Sequence, residues 1–376
     1  MPLHRGSRRE QLKTPFGSFG AIFYAGSLAD LQSSVENPMN ETSALIITSI
    51  SPPNAVLQAY ATGCQEHGID YIVVGDVSSP QDFRLEGCDF WAIERQRRCS
   101  FKLAEILPER HYARKNLGYL VAMSRGADII IETDDDNFPY ESFWSERQAE
   151  QKACLFANSS WVNVYQFFSD ARIWPRGFPL EHLQSAGNLE KGVEQTVTSP
   201  IHQGLADMNP DVDAVYRLVM TLPQSFSERA PIALGKGSWS PFNSQNTTWF
   251  KDAFPLLYIP SYCSFRMCDI WRSFVALRIC WANDWPVVFH QATVYQERNE
   301  HDLLRDFRDE IEGYLHNASI CEKLARLDIE PGIRALGPNL KKCYDVLIEM
   351  GLVHAKERAL LDSWLLDLQK LSSAGV

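Results

Sequence analysis

Two apolar runs with a helical stretch between them limit the folds open to this chain more than any other feature. The first, Ser43-Ala44-Leu45-Ile46-Ile47-Thr48-Ser49-Ile50, ends in Ser51-Pro52-Pro53-Asn54 and reads as strand, turn and helix start. A helix over about Ala55 to His67 follows, and Gly68 leads into a second strand, Tyr71-Ile72-Val73-Val74-Gly75-Asp76. Phe90-Trp91-Ala92-Ile93 offers a further short strand. The stretch from Arg110 to Arg125 carries Leu117, Leu120 and Val121 at helical spacing before Gly126 stops it. Such alternation predicts an α/β protein with a mainly parallel central sheet, whose ligands sit outside the carboxyl ends of the strands.

A third apolar segment, Ala127-Asp128-Ile129-Ile130-Ile131, runs into Glu132-Thr133-Asp134-Asp135-Asp136-Asn137. Carboxylates this dense at a sheet rim repel one another unless a cation sits among them, and hard oxygen ligands suit Mg²⁺ or Mn²⁺. Strand alternation would send Asp134 and Asp136 to one side and Asp135 to the other. The first pair would then hold the metal, and a diphosphate is its natural ligand. A solvated acidic loop is the plainer alternative. A calcium loop is a poor match, because Pro139 stands where an EF-hand needs glycine. No G-x-x-x-x-G-K-[ST] loop and no dinucleotide fingerprint occurs.

Size and charge bound the rest. A length of 376 residues, with 45% apolar and 22% charged, suits a folded enzyme with a sizeable core. The 47 acidic against 36 basic residues give a formal charge of −11, which argues against nucleic acid as a partner. Nine scattered cysteines show no metal or disulfide spacing and suit a reducing compartment. No signal peptide is expected from Met1 to Glu10, and no apolar stretch reaches the ~18 residues of a membrane span. The expected domains are a flexible arm over 1–40, a catalytic domain over 41–298 and a helical extension over 299–376. In the extension Leu303, Leu304, Phe307, Ile311 and Leu315 form one stripe, read as a surface for packing or oligomerisation and compatible with a homodimer.

Several separate motifs in order then carry a resemblance. Val73-Val74-Gly75-Asp76, Lys115-Asn116-Leu117-Gly118-Tyr119-Leu120, Ile130 to Asn137, Trp174-Pro175-Arg176-Gly177-Phe178-Pro179-Leu180, and Gly204-Leu205-Ala206-Asp207 followed by Pro210-Asp211-Val212-Asp213 resemble the STELLO glycosyltransferase-like proteins. More distantly they resemble the reversibly glycosylated polypeptides, which are UDP-arabinopyranose mutases. The resemblance spans roughly 43 to 300 and implies a GT-A-type nucleotide-sugar fold over 41–298, with a nucleotide-binding half (41–150) and an acceptor or sugar half (151–298), a UDP-sugar donor and a divalent metal. With no membrane anchor visible, Golgi residence is not carried over. A cytoplasmic enzyme of surface polysaccharide synthesis is expected, working at the inner face of the membrane on a glycan or lipid-linked glycan.

On that footing Thr48, Ser51 and Asp76 are expected to meet the uracil and ribose, and Lys115 a phosphate. Asp134 and Asp136 take the metal, and Asp135 the sugar or ribose. Asp207, with Asp211 and Asp213, would shape the sugar pocket, and Trp174 and Trp239 would stack on a sugar or simply pack. The resemblance further implies Asp269 as the general base of an inverting transferase, His290 as a third metal ligand, and Arg176 as the match to the arginine that mutases glycosylate. Three functions therefore compete: a metal-dependent glycosyltransferase, a UDP-sugar mutase, and a non-catalytic nucleotide-sugar-binding scaffold.

Overall fold

A computed structural model describes residues 41–184, 192–297 and 302–373, so the expected arm over 1–40 lies outside the described residues. The strands are β1 (Ser43–Thr48), β2 (Asp70–Val74), β3 (Asp89–Trp91), β4 (Ile129–Thr133), β5 (Asn137–Pro139), β6 (Glu150–Phe156), β7 (Ser160–Trp161), β8 (Val193–Thr198), β9 (Ile201–Asp207), β10 (Ile232–Leu234), β11 (Ser238–Trp239), β12 (Asn246–Phe250) and β13 (Val287–Gln296). The helices are α1 (Ala55–His67), α2 (Ile93–Gln96), α3 (Lys102–Ile106), α4 (Lys115–Ser124), α5 (Val164–Phe168), α6 (Ala214–Val219), α7 (Cys268–Ala282), α8 (Leu303–Ala325), α9 (Leu336–Glu349) and α10 (Glu357–Ser373).

One large sheet runs β3-β2-β1-β4-β12-β9-β13-β10-β6-β8, with β5 added on β13. The first four strands are all parallel, as the alternation predicts. β12 enters antiparallel to β4, and β9 antiparallel to β12, while β13 lies parallel to β9. The carboxyl ends of β1, β2, β4, β9 and β13 therefore share one sheet edge with the amino end of β12.

Local signals explain the elements. Asn54 caps α1 by accepting from Leu57 N at 2.8 Å, and Gly68 closes it at φ 66°, where a side chain would be strained. Gly118 lets α4 lie close on β1 and β2. A Cβ there would sit 2.6 Å from Ile46 Cγ2 and 2.8 Å from Val74 Cγ2.

The C-terminal helices share the main apolar core with the sheet. Ile320, Leu324, Leu340, Tyr344 and Trp364 are buried in the same cluster as Ile46, Leu120 and Trp249. From Glu41 onward the chain is a single compact unit, so the boundary expected near 298 separates no second core. Asp367 of α10 accepts from Lys102 N and Leu103 N at 2.9 and 2.8 Å, capping α3 across the molecule. Glu357 accepts from Tyr258 Oη, Ser261 N and Tyr262 N.

The stripe on α8 turns outward rather than packing. Leu304 and Leu315 are 69% and 67% exposed, while the inward face carries Glu310, Asn317 and Ile320. Hydrogen bonding decides this orientation. Glu310 accepts from Arg266 and from Ala214 N, and Asn317 joins Trp271 Nε1 to the Gly177 carbonyl.

Candidate functional site

The sheet edge where these strand ends meet opens into a cavity of about 530 Å³. Thr48, Ser49 and Ile50 come from the end of β1, Gly75 and Asp76 from the end of β2, and the three aspartates from the end of β4. Gln245 precedes β12, and Gln296 ends β13. Arg110, His111 and Tyr112 lead into α4, and Phe265, Arg266 and Asp269 surround the start of α7. Ile50 and Phe265, 59% and 55% exposed, put apolar surface on this otherwise polar wall.

The aspartates do not continue the strand. The chain reverses after Thr133, with Asn137 N donating to Asp134 O at 3.4 Å, so strand alternation no longer applies and the carboxylates fan out. Asp134 Oδ1 accepts from Tyr112 Oη at 2.7 Å and from Lys115 Nζ at 3.2 Å. Asp135 Oδ2 accepts from Ser49 Oγ at 2.5 Å. Asp136 Oδ2 accepts from Gln296 Nε2 at 3.0 Å. Burial pushes the Asp134 and Asp135 carboxyls above the ordinary range, with Lys115 opposing it at Asp134 and the Ser49 hydrogen bond at Asp135.

Lys115 is fully buried beneath Asp134 and also donates to Tyr112 Oη and the carbonyls of Thr133 and Ser244. It braces the acidic turn from below and does not line the cavity. Asp76 accepts from Val77 N at 2.7 Å and His111 N at 2.9 Å, and so holds the 110–112 segment against the end of β2.

Arg176 lies between two acids. Nε and Nη2 reach the two oxygens of Asp211 at 2.8 Å each, and Nη1 and Nη2 reach those of Asp269 at 3.0 Å each. The second Nη1 hydrogen goes to the Arg266 carbonyl, so all five guanidinium N–H groups have acceptors. Burial lowers the Arg176 pKa, but the two carboxylates outweigh it and hold the group well above its usual range. Asp211 moves the other way, since Arg176 overcomes the burial that would raise it. Asp269 lines the cavity yet already accepts from Arg176, Ile270 N and Ser244 N and Oγ.

Beneath the acidic turn a second buried pair joins four elements. Glu132 of β4, fully buried, accepts from Arg272 of α7 at 2.7 Å, Trp249 Nε1 of β12 at 2.8 Å and Tyr119 Oη of α4. Among the described residues three buried polar atoms of the cavity walls have no hydrogen-bond partner: Thr48 Oγ1, Arg114 Nη2 and Gln296 Oε1.

The structure thus brings together Thr48, Asp76, Asp134, Asp135, Asp136, Arg176 and Asp269, with Lys115 behind them. Ser51, in the turn beyond, donates its N–H to Ser49 Oγ at 3.1 Å and hydrogen-bonds the Asp135 carboxylate through its side chain, so it stands beside the acidic turn. Two expected residues lie elsewhere. Asp207 ends β9 at the same edge but turns to Tyr140 Oη and Phe226 N. His290 is six positions before Gln296 on β13, ~20 Å of strand before bulges are allowed for. It lines a separate cavity with His202 and is corrected here from metal ligand to wall residue of that cavity. Trp174 bonds Asp213 at 2.7 Å, and Trp239 packs on Trp281, so both are core.

Sequence reasoning passed over Ser49, Tyr112, Arg114 and Gln296. Ser49 and Tyr112 were within reach, since one ends the first strand and the other stands three positions before Lys115. Gln296 needed the register of β13.

A family model described as STELLO glycosyltransferases matches residues 266–374, the part containing Asp269, Arg272 and the C-terminal helices. Among curated proteins, the probable glycosyltransferases STELLO2 and STELLO1 of Arabidopsis thaliana are 29% and 28% identical over 249 residues, covering 61% of this chain. The alignments cover 32% of each relative, so the chain spans about a third of the length of the curated relatives it matches. A solved structure described as a mycobacterial protein aligns over 74% of this chain and 76% of that one at 11% identity, with a TM-score of 0.39, too distant to bear on function. Among the described residues no helix is long and apolar enough to cross a membrane. The resemblance expected from the motifs around Asp76, Lys115 and Asp134 is borne out by these matches, and the chain is similar to the STELLO glycosyltransferases.

Proposed function

We propose that this chain is a glycosyltransferase that moves a sugar from a UDP-sugar to a glycan or lipid-linked glycan acceptor, in the synthesis of a surface polysaccharide. One observation carries the reading. Three parallel strand ends, the acidic turn and three unpartnered polar atoms converge on one cavity large enough for a nucleotide-sugar. Unsatisfied buried groups of this kind are what a polar ligand completes.

A divalent cation fits the donor set in part. Asp134 and Asp136 face the same cavity, and Mg²⁺ commonly takes one or two carboxylates with substrate phosphates supplying the rest. Among the described residues no three His, Cys, Asp or Glu side chains gather as a ready cage, so the ligand's own oxygens would be needed. When bound, the cation would neutralise charge on the departing diphosphate. Thr48 and Arg114 offer polar contacts to the nucleotide, and Asp135, held by Ser49, faces the sugar.

Inversion would require a base, and Asp269 is the carboxylate on the cavity wall nearest that role. Its roughly four lone-pair directions already meet five donors. The two weakest, both 3.3 Å, come from Ser244, so an acceptor hydroxyl would enter by displacing the Ser244 hydroxyl. The mutase reading finds less support, because Arg176 is buried with every N–H engaged.

Hydrolysis and transfer assays on a panel of UDP-sugars test this function. We expect UDP release that EDTA abolishes, Mn²⁺ or Mg²⁺ restores, and Asp136→Ala lowers by at least about a hundredfold. Full activity of Asp136→Ala removes its metal role, and UDP binding without turnover of any donor favours the scaffold.

A further inference from the structure

The sheet face that carries α1 holds a second cavity of about 410 Å³, and it shares no lining residue with the first. Its floor is made by alternate residues of three strands: His202 of β9, Asn246 and Thr248 of β12, and His290 of β13. Arg147, from the segment before β6, forms a wall. A sheet face normally buries apolar side chains, so a polar hollow of this size points to a ligand.

The charge balance identifies its chemistry. Arg147 lies 5.0 Å from the Phe143 ring centroid, and its three hydrogen bonds go to neutral acceptors, Thr248 Oγ1 and the carbonyls of Ser145 and Phe143. Two of its five N–H groups remain, and no carboxylate pairs with it among the described residues. Burial lowers its pKa to about 10, which still leaves it cationic at neutral pH. A partly buried charge without a counterion is unfavourable until an anion arrives.

The histidines complete the site without adding charge. Burial lowers His202 to about 3 and His290 to about 4, and Arg147 pushes the same way on both. His202 Nδ1 lies 3.3 Å from Gln151 Nε2, and the buried His202 Nε2 has no hydrogen-bond partner. A cation is disfavoured beside Arg147, and no metal cage forms here among the described residues. The other charges at the cavity are exposed: Glu146 at the wall, and Arg229, already paired with Asp170 at 2.9 Å.

We propose that this cavity binds an acidic sugar, a saccharide unit bearing a carboxylate or phosphate, with Arg147 as the charge partner and the unpartnered His202 Nε2 as a neutral hydrogen-bonding group. The volume suits a monosaccharide, and Asn246 and Thr248 offer the polar wall its hydroxyls need. Gly204 keeps the floor open, since a Cβ there would lie 2.4 Å from the Asn246 amide nitrogen. The site stands whether or not the first cavity transfers sugar.

Calorimetric titration of the full chain with glucuronate, glucose 6-phosphate and glucose tests it. We expect saturable binding of at least one anion, at least about tenfold tighter than glucose, with the ranking of the two distinguishing carboxylate from phosphate. Arg147→Gln should weaken that binding at least about tenfold and Arg147→Lys less, with UDP affinity at the first cavity unchanged in both. Should Arg147→Gln not fold, hydrogen exchange on the wild-type chain decides, with slower exchange across 145–151 and β9 when the anion is added. No saturable anion binding, glucose bound as tightly as the anions, undiminished binding by Arg147→Gln, or unchanged exchange in those segments overturns the proposal.

Discussion

Lys115 Nζ stands 3.2 Å from Asp134 Oδ1, with the lysine wholly buried and the aspartate side chain 30% exposed to the cavity. The ion pair therefore joins the interior to the site. The lysine expected to touch a phosphate instead holds the acidic turn in place, and the charge it brings to the cavity is felt through Asp134.

A double-mutant cycle on this pair should show strong coupling. Asp134→Asn leaves Lys115 cationic and buried, so it should destabilise the fold by several kcal/mol, about 3 as a central value. Lys115→Met with Asp134→Asn should recover part of that loss, a coupling of about 1–3 kcal/mol in urea unfolding. Strict additivity would show that the carbonyls of Thr133 and Ser244 alone satisfy Lys115.

Arg176→Lys should abolish turnover while UDP binding persists. A lysine keeps the charge but cannot reach four carboxylate oxygens, so Asp269 loses its fixed orientation. Incubation of the wild-type chain with a radiolabelled UDP-sugar should leave no sugar on Arg176, as checked by peptide mass mapping. A labelled Arg176 would restore the mutase reading.

Breaking the pair under the site should cost stability. Arg272→Met leaves Glu132 buried without its cation and should lower unfolding free energy by about 3–5 kcal/mol. Glu132→Gln should cost less than Arg272→Met, because a neutral amide oxygen can still accept from Trp249 and Tyr119. Equal losses in denaturant melts would contradict this ordering.

Asp213 gives stability a pH slope of unusual sign. Burial raises its carboxyl to about 7, while it caps α6 and accepts from Trp174. Between the ordinary aspartate value of about 4 and pH 7 the folded state holds a proton that the unfolded state releases. This group's contribution to stability is therefore greatest below about pH 4, falls as pH rises to 7, and is level above. Asp213→Asn, which can still cap the helix, should flatten that fall and match or exceed the wild type at pH 8. Parallel urea midpoints at pH 5 and 8 decide it, and an unchanged difference would exclude Asp213 as the source.

How far the sequence could be read depended on the range of the interactions. β1, α1, β2, α4 and β4 were legible because their signals are local: apolar runs, a capping Asn54, a closing Gly68. Thr48, Asp76 and Asp134 reach one cavity because a parallel sheet gathers strand ends, and the start of α7 brings Asp269 to the same place. What the sequence hid is set by pairing across the chain. The turn at Asp134–Asn137 undid the strand alternation, the register of β13 carried His290 away from the edge, and Glu310 and Asn317 turned the helix α8 over against its own apolar stripe.

The cap that Asp367 places on α3 bears on the order of events during synthesis. Translation completes the strands around Asp76 and Asp134 long before residue 367 leaves the ribosome, so the start of α3 stays uncapped until the C-terminal helix arrives. A nascent chain stalled before α10 would therefore hold α3 with its first two amides open to water, and the last helix to be made is the one that fixes an element made 264 residues earlier.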